Sequence, residues 1–450
     1  MSLPTIYPPE FLHRMETLLG EEYPAFINSL SESSPTSIRL NPKKRISKFD
    51  AEEKVVWCND GHYLKERPSF TFDPLFHAGT YYVQEASSMF IEKIWRQINP
   101  DSVPVKVLDM CAAPGGKSTH LLSLMSDESL LVSNEVIPKR NKILCENIIK
   151  WGNANCIITQ NKTEDFAALQ NYFDIVLIDA PCSGEGLFRK DKDAIDEWSD
   201  RNVAQCSVRQ KEILEHALQC LKPDGFLIYS TCTYEPTEND ENIEYVLELG
   251  SSQVQLPAEI GGIAKTKYGL QFFPHKIKGE GFYISVVRKN SPMGFVSDKL
   301  EISNSKSQLQ NKFHPSPIFE PFLESYEDFV ESKRDNLVFA LHKTIASDFL
   351  SLEKKLYIRN AGIFMGTIKG KDFLPSHDLA LSNHIRKDLP SIELNYDDAI
   401  TYLRCEAPKI KPAEKGWHVV KYQNMNLGWI KALDGRINNY FPKELRILKK

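Results

Sequence analysis

The chain has 450 residues, of which 42% are hydrophobic and 26% are charged, and its formal net charge is -5. This length predicts roughly two to four globular domains, and the net charge argues against indiscriminate nucleic-acid binding. No apolar stretch approaches the roughly 18 residues that a membrane span needs. The first residues do not combine a basic region with an apolar core, so we expect a cytoplasmic protein without membrane contact.

Nine cysteines are scattered along the chain, with neither a CxxC pair nor the spacing of metal ligands. An odd number without such spacing favours reduced thiols and no bound metal ion. We expect six of them to be small buried apolar side chains, namely Cys58, Cys145, Cys156, Cys206, Cys220 and Cys405.

Residues 1–100 form the first predicted region. The segment PEFLHRMETLL has a helical pattern, and HAGTYYVQEASSMFIEKIW predicts a turn and a strand before a helix. A basic cluster runs from Arg39 through Lys43, Lys44 and Arg45 to Lys48. Such a cluster is most often a solvated face, but beside an enzyme core it also fits a phosphate-rich substrate.

Residues 101–290 alternate regularly between predicted strands and helices. The predicted strands are VKVLDM, SLLVSNE, NCIITQ, FDIVLIDA and FLIYSTCT, and the helices between them include KRNKILCENIIKWG and VRQKEILEHALQCL. This alternation predicts an α/β fold with a doubly wound, mainly parallel sheet, as in Rossmann-like domains. The segment QFFPHKIKGEGFYISVVRKN predicts antiparallel strands at one edge of that sheet.

Residues 291–312 are rich in Ser, Asn and Lys and predict a linker, and residues 313–450 predict a separate region of shorter strands. Residues 421–450 hold seven basic and two acidic side chains, a local net charge of +5. This second basic cluster, like the first, suggests a surface for phosphates and leaves open a merely solvated face.

A glycine-rich loop follows the first core strand, which ends at Asp109. The loop consists of Cys111, Ala112, Ala113, Pro114, Gly115, Gly116 and Lys117. Its small residues let the backbone approach a ligand, and Glu135 ends the next strand where a carboxylate can accept hydrogen bonds from ribose. Because Pro114 removes a backbone donor from a phosphate nest, S-adenosylmethionine fits better than NAD or ATP. The alternative is a turn that only packs helix on sheet.

Two cysteines, Cys182 and Cys232, follow apolar strands and lie where each strand opens into a loop. A thiolate can add to carbon-6 of a cytosine and make carbon-5 nucleophilic, and a second thiol can aid product release. Asp179 is placed to protonate or hydrogen-bond the base, while Arg189 and Lys190 could lower a thiol pKa or bind phosphate. The alternative for any single cysteine is a small buried apolar side chain.

The motifs CAAPGGK, DAPCSGEGLFRKD and STCTYEPTENDENI, with YYVQEASSM upstream, resemble those of the Sun (Nop-type) family of S-adenosylmethionine-dependent RNA cytosine-5 methyltransferases. The resemblance spans roughly residues 35 to 290. It implies a class I methyltransferase core in which Cys232 attacks cytosine carbon-6 and Cys182 aids proton removal and enzyme release. Both thiols together point to RNA rather than DNA.

By the same resemblance, the cofactor contacts fall on residues 111–117, Glu135 and Asp179. The family often carries an acidic residue after the third strand, where this chain has Asn161, or Lys162 under a shifted alignment. The C-terminal region resembles the RNA-binding domains of the bacterial ribosomal-RNA subgroup, including a PUA-like module. There Lys431 and Arg436 would contact phosphates and Tyr440 would stack on a base. The alternative is a generic small β-domain.

We therefore expect a monomeric, metal-free RNA cytosine-5 methyltransferase with catalytic residues Cys232, Cys182, Asp179 and Lys190. The expected substrate is 16S ribosomal RNA. Both the N-terminal region and the C-terminal region are expected to bind RNA. One alternative keeps the activity and changes the substrate to transfer RNA. A second alternative is a non-catalytic RNA-binding factor in ribosome assembly.

Overall fold

The structure is a computed structural model and describes residues 6–46, 53–257, 260–291, 316–410 and 414–449. Apart from Ser291, the predicted linker at residues 291–312 lies outside the described residues, as do Lys48 and Lys450. None of the helices within the described ranges is long and apolar enough to cross a bilayer.

The N-terminal region combines short helices with a small antiparallel sheet. The helices are α1 (Pro9–Leu19), α2 (Tyr23–Leu30), α3 (Pro74–His77) and α4 (Ile91–Ile98). The strands are β1 (Thr36–Leu40), β2 (Glu53–Lys54), β3 (Gly61–Leu64) and β4 (Tyr81–Val83), in the spatial order β2-β3-β1-β4. Helix α1 buries Phe11 and Met15, which lie four residues apart on one face, in a cluster with Phe188 and Trp198. This contact fixes the N-terminal region on the loops that follow the core strands.

The core is one large sheet whose five central strands are parallel. These strands are β5 (Lys106–Asp109), β6 (Leu130–Asn134), β7 (Cys156–Thr159), β8 (Phe173–Asp179) and β9 (Leu221–Thr231). Their spatial order is β7-β6-β5-β8-β9. The antiparallel edge strands are β10 (Ser251–Gln253), β11 (Ala264–Lys265), β12 (Leu270–Phe272) and β13 (Phe282–Lys289). The predicted α/β fold with an antiparallel edge is confirmed.

Helices cover both faces of this sheet, so its strands are apolar on both sides. The helices of the core are α5 (Gly116–Leu124), α6 (Pro138–Trp151), α7 (Lys192–Glu197), α8 (Asp200–Cys220) and α9 (Asp240–Glu248). Neighbouring residues of β5 belong to two different buried clusters, Val107 to one and Leu108 to the other. This burial explains why the strands are continuous apolar runs rather than alternating ones.

Residues 316–449 contribute two further four-stranded sheets. One is β14-β15-β17-β18 and the other β19-β20-β21-β22. The strands of the first are β14 (Phe329–Arg334), β15 (Leu337–His342), β17 (Ile363–Lys369) and β18 (Asp372–Pro375). Those of the second are β19 (Ser391–Glu393), β20 (Gly416–Tyr422), β21 (Met425–Leu433) and β22 (Arg436–Asn439). The helices are α10 (Lys343–Leu352), α11 (His377–Leu381) and α12 (Tyr396–Leu403).

One strand of the C-terminal region leaves it and joins the core sheet. Strand β16 (Ile358–Ala361) pairs antiparallel with β7, although the sequence predicts this segment in a separate C-terminal region. Without β16, the outer edge of β7 would present unpaired backbone groups. The C-terminal region is therefore connected to the core through backbone hydrogen bonds.

Two members of the first basic cluster point inward, which corrects the expectation of a solvated or phosphate-binding face. Arg39 is 1% exposed, donates to Gln84 Oε1 at 2.8 Å and to Thr119 Oγ1 at 2.7 Å, and lies over the ring of Trp151. Lys44 donates to the carbonyl oxygen of Lys150 at 2.6 Å, near the end of α6. The last carbonyls of a helix lack partners within the helix, so a nearby ammonium is a fitting donor.

Gly79 provides a test of how the N-terminal region packs against α6. Its φ is +74°, and a Cβ atom would lie 2.0 Å from the carbonyl oxygen of Lys150. Gly79→Ala should lower the free energy of unfolding by about 2 to 4 kcal/mol, since strain and overlap add. Gly250 has a φ of +94° with nothing within 4 Å of the added atom. Gly250→Ala should therefore cost only about 1 kcal/mol.

The free energy of unfolding of both variants is measured by denaturant titration, with tryptophan fluorescence as the signal. Equal destabilisation by the two substitutions would show that Gly79 does not lie against the end of α6.

Candidate active site

A cavity of about 900 Å³ opens at the carboxyl ends of the central strands. The loops that follow β5, β6, β7, β8 and β9 line it, and the N-terminal region adds Tyr82 to its wall. From β5 the chain adds β6 and β7 on one side of the sheet, and then adds β8 and β9 on the other side. In parallel sheets such a reversal of strand order, here between β5 and β8, leaves a crevice at the carboxyl edge. The cavity is thus where an α/β sheet offers a ligand site.

The two cysteines predicted as catalytic meet in this cavity. Strands β8 and β9 pair in parallel with Asp179 opposite Ser230, so the chain reaches Cys182 and Cys232 a few residues later on neighbouring loops. The two Sγ atoms are 3.2 Å apart, and the backbone N–H of Cys232 donates to Cys182 Sγ at 3.4 Å. Hydrogen bonding to Cys232, followed by burial, raises the pKa of the Cys182 thiol well above its ordinary value. The two thiols are therefore within hydrogen-bonding distance, and either sulfur can be the donor.

Asp179 also faces the cavity, with 38% of its side chain exposed. Its Oδ2 lies 2.8 Å from Lys117 Nζ, and its Oδ1 accepts a hydrogen bond from Ser230 Oγ at 2.9 Å. The Lys117 ammonium also lies over the ring of Phe282. These contacts join the glycine-rich loop to the loop of Cys182 through an ion pair.

The predicted cofactor loop lies along the cavity, and six of its seven residues line it: Cys111, Ala112, Ala113, Pro114, Gly116 and Lys117. Gly115 instead makes the turn, with φ +109°, and a side chain there would contact Leu144 of α6. Gly116 lies beside Tyr82, where an added Cβ atom would be in ordinary van der Waals contact with that ring at 3.4 Å. The loop therefore brings backbone to the edge of the cavity, as predicted.

Two acidic side chains lie beside this loop. Glu135 lines the cavity, where its Oε1 accepts a hydrogen bond from the N–H of Ile137 at 2.9 Å. Asp109 is fully buried, and burial raises its pKa to about 7. Ser118 Oγ donates to Asp109 Oδ2 at 2.6 Å, whereas Oδ1 has no hydrogen-bond partner among the described residues. Asp109 and Glu135 are thus acceptors beside the glycine-rich loop.

Asn161 is not brought to the cavity, contrary to its predicted role in binding the cofactor. Its side chain donates to the carbonyl oxygen of Tyr357 at 3.1 Å and accepts from the N–H of Tyr357 at 2.9 Å. The Asn161 side chain is therefore held by the residue that directly precedes β16, the strand that joins the core sheet. Lys162, the alternative position, does line the cavity, together with Thr163 and Glu164.

Of the two basic residues after Cys182, only Lys190 is available. It is exposed and lines the cavity. Arg189 is buried against Glu280, with Nε 3.0 Å from Oε2, and donates to the carbonyl oxygen of Gly279 at 2.7 Å. The suggested roles of Arg189 in thiol activation and phosphate binding are therefore not supported by its position.

Several other residues of the cavity wall were not predicted from the sequence, although Tyr82 lies in the YYVQEASSM segment noted above. Tyr82 comes from the N-terminal sheet, Arg209 and His216 from α8, and Glu280 from the loop before β13. Outside the wall, Arg14 of α1 forms ion pairs with Glu185 and Glu235, one beyond each of the two cysteines predicted as catalytic. All of these approach the site through long-range packing, which no local motif reports.

One buried group of potential metal ligands lies elsewhere, although the sequence predicts no metal site. Cys58, Glu92 and His120 place ligand atoms within 4.8 Å of one another. His120 Nε2 is 3.3 Å from Glu92 Oε2 and 3.8 Å from Cys58 Sγ. Glu92 also accepts from Arg96 at 2.8 Å. The three side chains form a hydrogen-bonded cluster, in which His120 Nδ1 has no partner among the described residues.

Family models match three parts of the chain. Residues 97–288 match the model described as 16S rRNA methyltransferase RsmB/F. Residues 7–86 match the N-terminal domain of 16S rRNA methyltransferase RsmF, and residues 389–447 match the methyltransferase RsmF PUA domain. These matches confirm the predicted resemblance, and with it a methyltransferase core and a C-terminal PUA module.

Curated relatives match almost the whole chain. The proteins named ribosomal RNA small subunit methyltransferase F from Vibrio campbellii and Vibrio parahaemolyticus are 31% and 30% identical, and each alignment covers 98% of both chains.

Solved structures match the core. A methyltransferase homolog protein from Pyrococcus horikoshii is 28% identical with a TM-score of 0.54, over 63% of this chain and 95% of that chain. NSun6 from Pyrococcus horikoshii, with SFG, has a TM-score of 0.55 at 19% identity, over 64% and 99% of the two chains, and shows the fold alone.

The short distance between the thiols can be tested by oxidation. Diamide should oxidise Cys182 and Cys232 to a disulfide while it is itself reduced, because the sulfur atoms need to approach by only about 1 Å to reach bonding distance. Peptide mass spectrometry without reduction should find the linked pair, and Cys182→Ser should remove it. Recovery of both cysteines as free thiols after diamide treatment would contradict the 3.2 Å separation.

Proposed function

The chain belongs to the family of ribosomal RNA small subunit methyltransferase F, and on that premise we propose that it methylates carbon-5 of a cytidine in 16S ribosomal RNA. The main observation in support of the proposal is that two thiols lie 3.2 Å apart at the edge of a cavity in a methyltransferase fold. One cysteine at this place could be a small buried side chain. Two in contact, both on loops that open into the cavity, provide a nucleophile and a partner for it.

The residues around the glycine-rich loop fit S-adenosylmethionine. The unpartnered Oδ1 of Asp109 would accept a hydrogen bond from the cofactor ammonium, and the Glu135 carboxylate would accept hydrogen bonds from the ribose. Residues 111–117 would approach the rest of the molecule through their backbone. When bound, the cofactor supplies an electrophilic methyl group on a sulfonium.

Cys232 is the nucleophile in this proposal, as the family resemblance implies. The hydrogen bond to Cys232 and burial raise the pKa of Cys182, and a protonated Cys182 thiol can stabilise a neighbouring thiolate by hydrogen bonding. The Cys232 thiolate adds to carbon-6 of the cytosine, and the displaced electron pair makes carbon-5 nucleophilic. Asp179 hydrogen-bonds the polar edge of the ring and so favours this addition.

After carbon-5 has accepted the methyl group, it must lose its proton and the bond to Cys232 must break. Cys182, in contact with the Cys232 sulfur, assists this release in our proposal. The carbon-5 proton passes to water in the open cavity, its bonding electrons re-form the ring double bond, and Cys232 departs as a thiolate that the Cys182 thiol can stabilise by hydrogen bonding. Lys190, exposed at the rim, would contact an RNA phosphate.

The C-terminal region presents a second surface for RNA in this proposal. Lys431 Nζ lies 5.3 Å from the ring centroid of Trp417, whose ring in turn lies 4.4 Å from that of the exposed Tyr440. Arg436 is exposed at the start of β22. Aromatic rings beside cations suit unpaired bases and phosphates, respectively.

Labelled methyl transfer to total RNA from cells that lack this protein tests the activity. Wild type should label 16S ribosomal RNA, and Cys232→Ala should reduce labelling by on the order of 1,000-fold or more because the covalent route is lost. Cys182→Ala should instead accumulate a slowly migrating protein–RNA adduct on denaturing gels, since release is impaired.

Cys145→Ala is a matched control, because Cys145 does not line the cavity, and it should behave as wild type. Label in transfer RNA rather than 16S ribosomal RNA would move the substrate to that class. No label in any RNA, together with intact cofactor binding, would favour a non-catalytic assembly factor.

The cofactor assignment predicts the effect of Glu135→Gln. Removal of a carboxylate acceptor from the ribose site should raise the dissociation constant of S-adenosylmethionine by roughly 10- to 100-fold. Isothermal titration calorimetry measures this constant. Glu146→Gln, in α6 and paired with Lys142 outside the cavity, is the control and should leave it unchanged. Equal affinity of Glu135→Gln and wild type would remove Glu135 from the cofactor site.

A further inference from the structure

A buried carboxylate lies behind the loop of Cys182. Glu238 follows Cys232 in the chain and is 0% exposed. Its Oε2 accepts the N–H of Ser183 at 3.0 Å and the side-chain amide of Gln210 at 2.7 Å. The same Gln210 amide donates to the carbonyl oxygen of Pro181 at 2.9 Å. The backbone on both sides of Cys182 is therefore held by Glu238 and its partner.

This arrangement is braced by a second set of buried hydrogen bonds. Asn242 Nδ2 donates to Gln210 Oε1 at 2.7 Å and to Tyr229 Oη at 3.0 Å. Tyr229 Oη donates to the carbonyl oxygen of Glu238 at 2.6 Å. Both ends of the Gln210 amide have partners in this network, which holds Gln210 in one orientation against Glu238, although Asn242 Oδ1 accepts no hydrogen bond among the described residues.

Glu238 differs from the other buried carboxylates around the cysteines in having no basic partner. Within the described residues, no Lys, Arg or His nitrogen lies within 4.0 Å of its carboxylate, and Oε1 accepts no hydrogen bond. Burial raises the pKa of Glu238 to about 7. An uncompensated buried carboxylate is costly, and a neutral glutamine would accept the same two hydrogen bonds at lower cost. A negative charge at this place therefore calls for a role beyond holding the loop.

We propose that Glu238 is a positioning residue that decides which of the two cysteines ionises: its carboxylate keeps Cys182 protonated, so that the thiolate forms on Cys232. This inference deepens the proposed function, on which it rests for its role in methyl transfer. The hydrogen bond to Cys232 and burial raise the pKa of Cys182 most, and the charge of Glu238 raises it further, whereas the hydrogen bond from the Cys232 N–H lowers it. Like charges close together disfavour one another in a buried site.

The other ionisable groups packed around this carboxylate do not supply the same effect. Glu185 raises the pKa of Glu238, but Glu185 is itself paired with Arg14. Cys206 of α8 has a pKa raised by burial and by Glu238, to about 11, and therefore stays neutral. Tyr229 has a pKa raised well above its ordinary value by burial and stays neutral too. Glu238 is the group among these that changes charge near neutral pH.

Competitive alkylation tests the inference without RNA or cofactor. The full chain is treated with a limiting amount of iodoacetamide at about pH 8, and mass spectrometry gives the ratio of alkylated Cys182 to alkylated Cys232. In wild type Cys232 should react first. In Glu238→Gln the ratio should rise roughly 10-fold, which corresponds to about one pH unit in the ionisation of Cys182.

Two further variants separate charge from shape. Glu238→Asp keeps the carboxylate and should keep the wild-type ratio more closely than Glu238→Gln does. Glu241→Gln removes a charge from an exposed neighbour on α9 and should leave the ratio unchanged. A thermal melt of each variant establishes that the fold is retained.

The effect of pH on the alkylation ratio has a defined direction. Above about pH 7 Glu238 is ionised and opposes ionisation of Cys182, whereas below it the carboxylate is protonated and resembles glutamine. The difference between wild type and Glu238→Gln should therefore shrink as the pH falls through 7.

An unchanged ratio in Glu238→Gln at pH 8, or preferential alkylation of Cys182 in wild type, would overturn the inference. Because no RNA is present, this outcome is distinct from failure of the proposed function, which the methyl-transfer assay reports. A shifted ratio without methyl transfer to any RNA would leave the inference standing for the thiol pair and remove the proposed function.

Discussion

The whole site depends on the parallel pairing of β8 with β9. Asp179 lies opposite Ser230 in this pairing. The chain reaches Cys182 three residues after Asp179 and Cys232 two residues after Ser230. Parallel neighbours end at the same edge of a sheet, so the pairing of these two strands brings both thiols to one place. A shift of the register by one residue would turn the apolar side chains of a strand to the opposite face. The buried clusters on both faces therefore hold the 3.2 Å contact between the sulfur atoms.

The loops beyond those strands are fixed by charge, and the N-terminal region supplies part of it. Arg14 pairs with Glu185, beyond Cys182, and with Glu235, beyond Cys232. Removal of this arginine would leave two buried carboxylates near each other without a cation, which is strongly destabilising. Helix α1 is thus a structural component of the site, which makes it more than an appended RNA-binding arm.

The sequence predicted those parts of the site that follow from local pattern. Apolar runs located the strands, and Cys182, Cys232 and Glu135 were expected at the cavity because each ends or follows a strand. Errors arose where distant segments compete for a side chain: Asn161 is held by the backbone of Tyr357, and Lys44 by a helix end. The domain boundaries, the cytoplasmic location and a monomeric state stay predictions of the sequence.

The distribution of charge reconciles a negative net charge with an RNA substrate. Among the described residues the buried carboxylates are Glu92, Asp109, Glu135, Glu185, Glu235, Glu238 and Glu280, whereas the buried guanidinium groups are those of Arg39 and Arg189. Three of these carboxylates, Asp109, Glu135 and Glu280, line the cavity. The net charge of -5 therefore understates how basic the surface is. Since RNA responds to surface charge near the phosphates, a chain that keeps its excess acid inside can be acidic overall and still bind a polyanion.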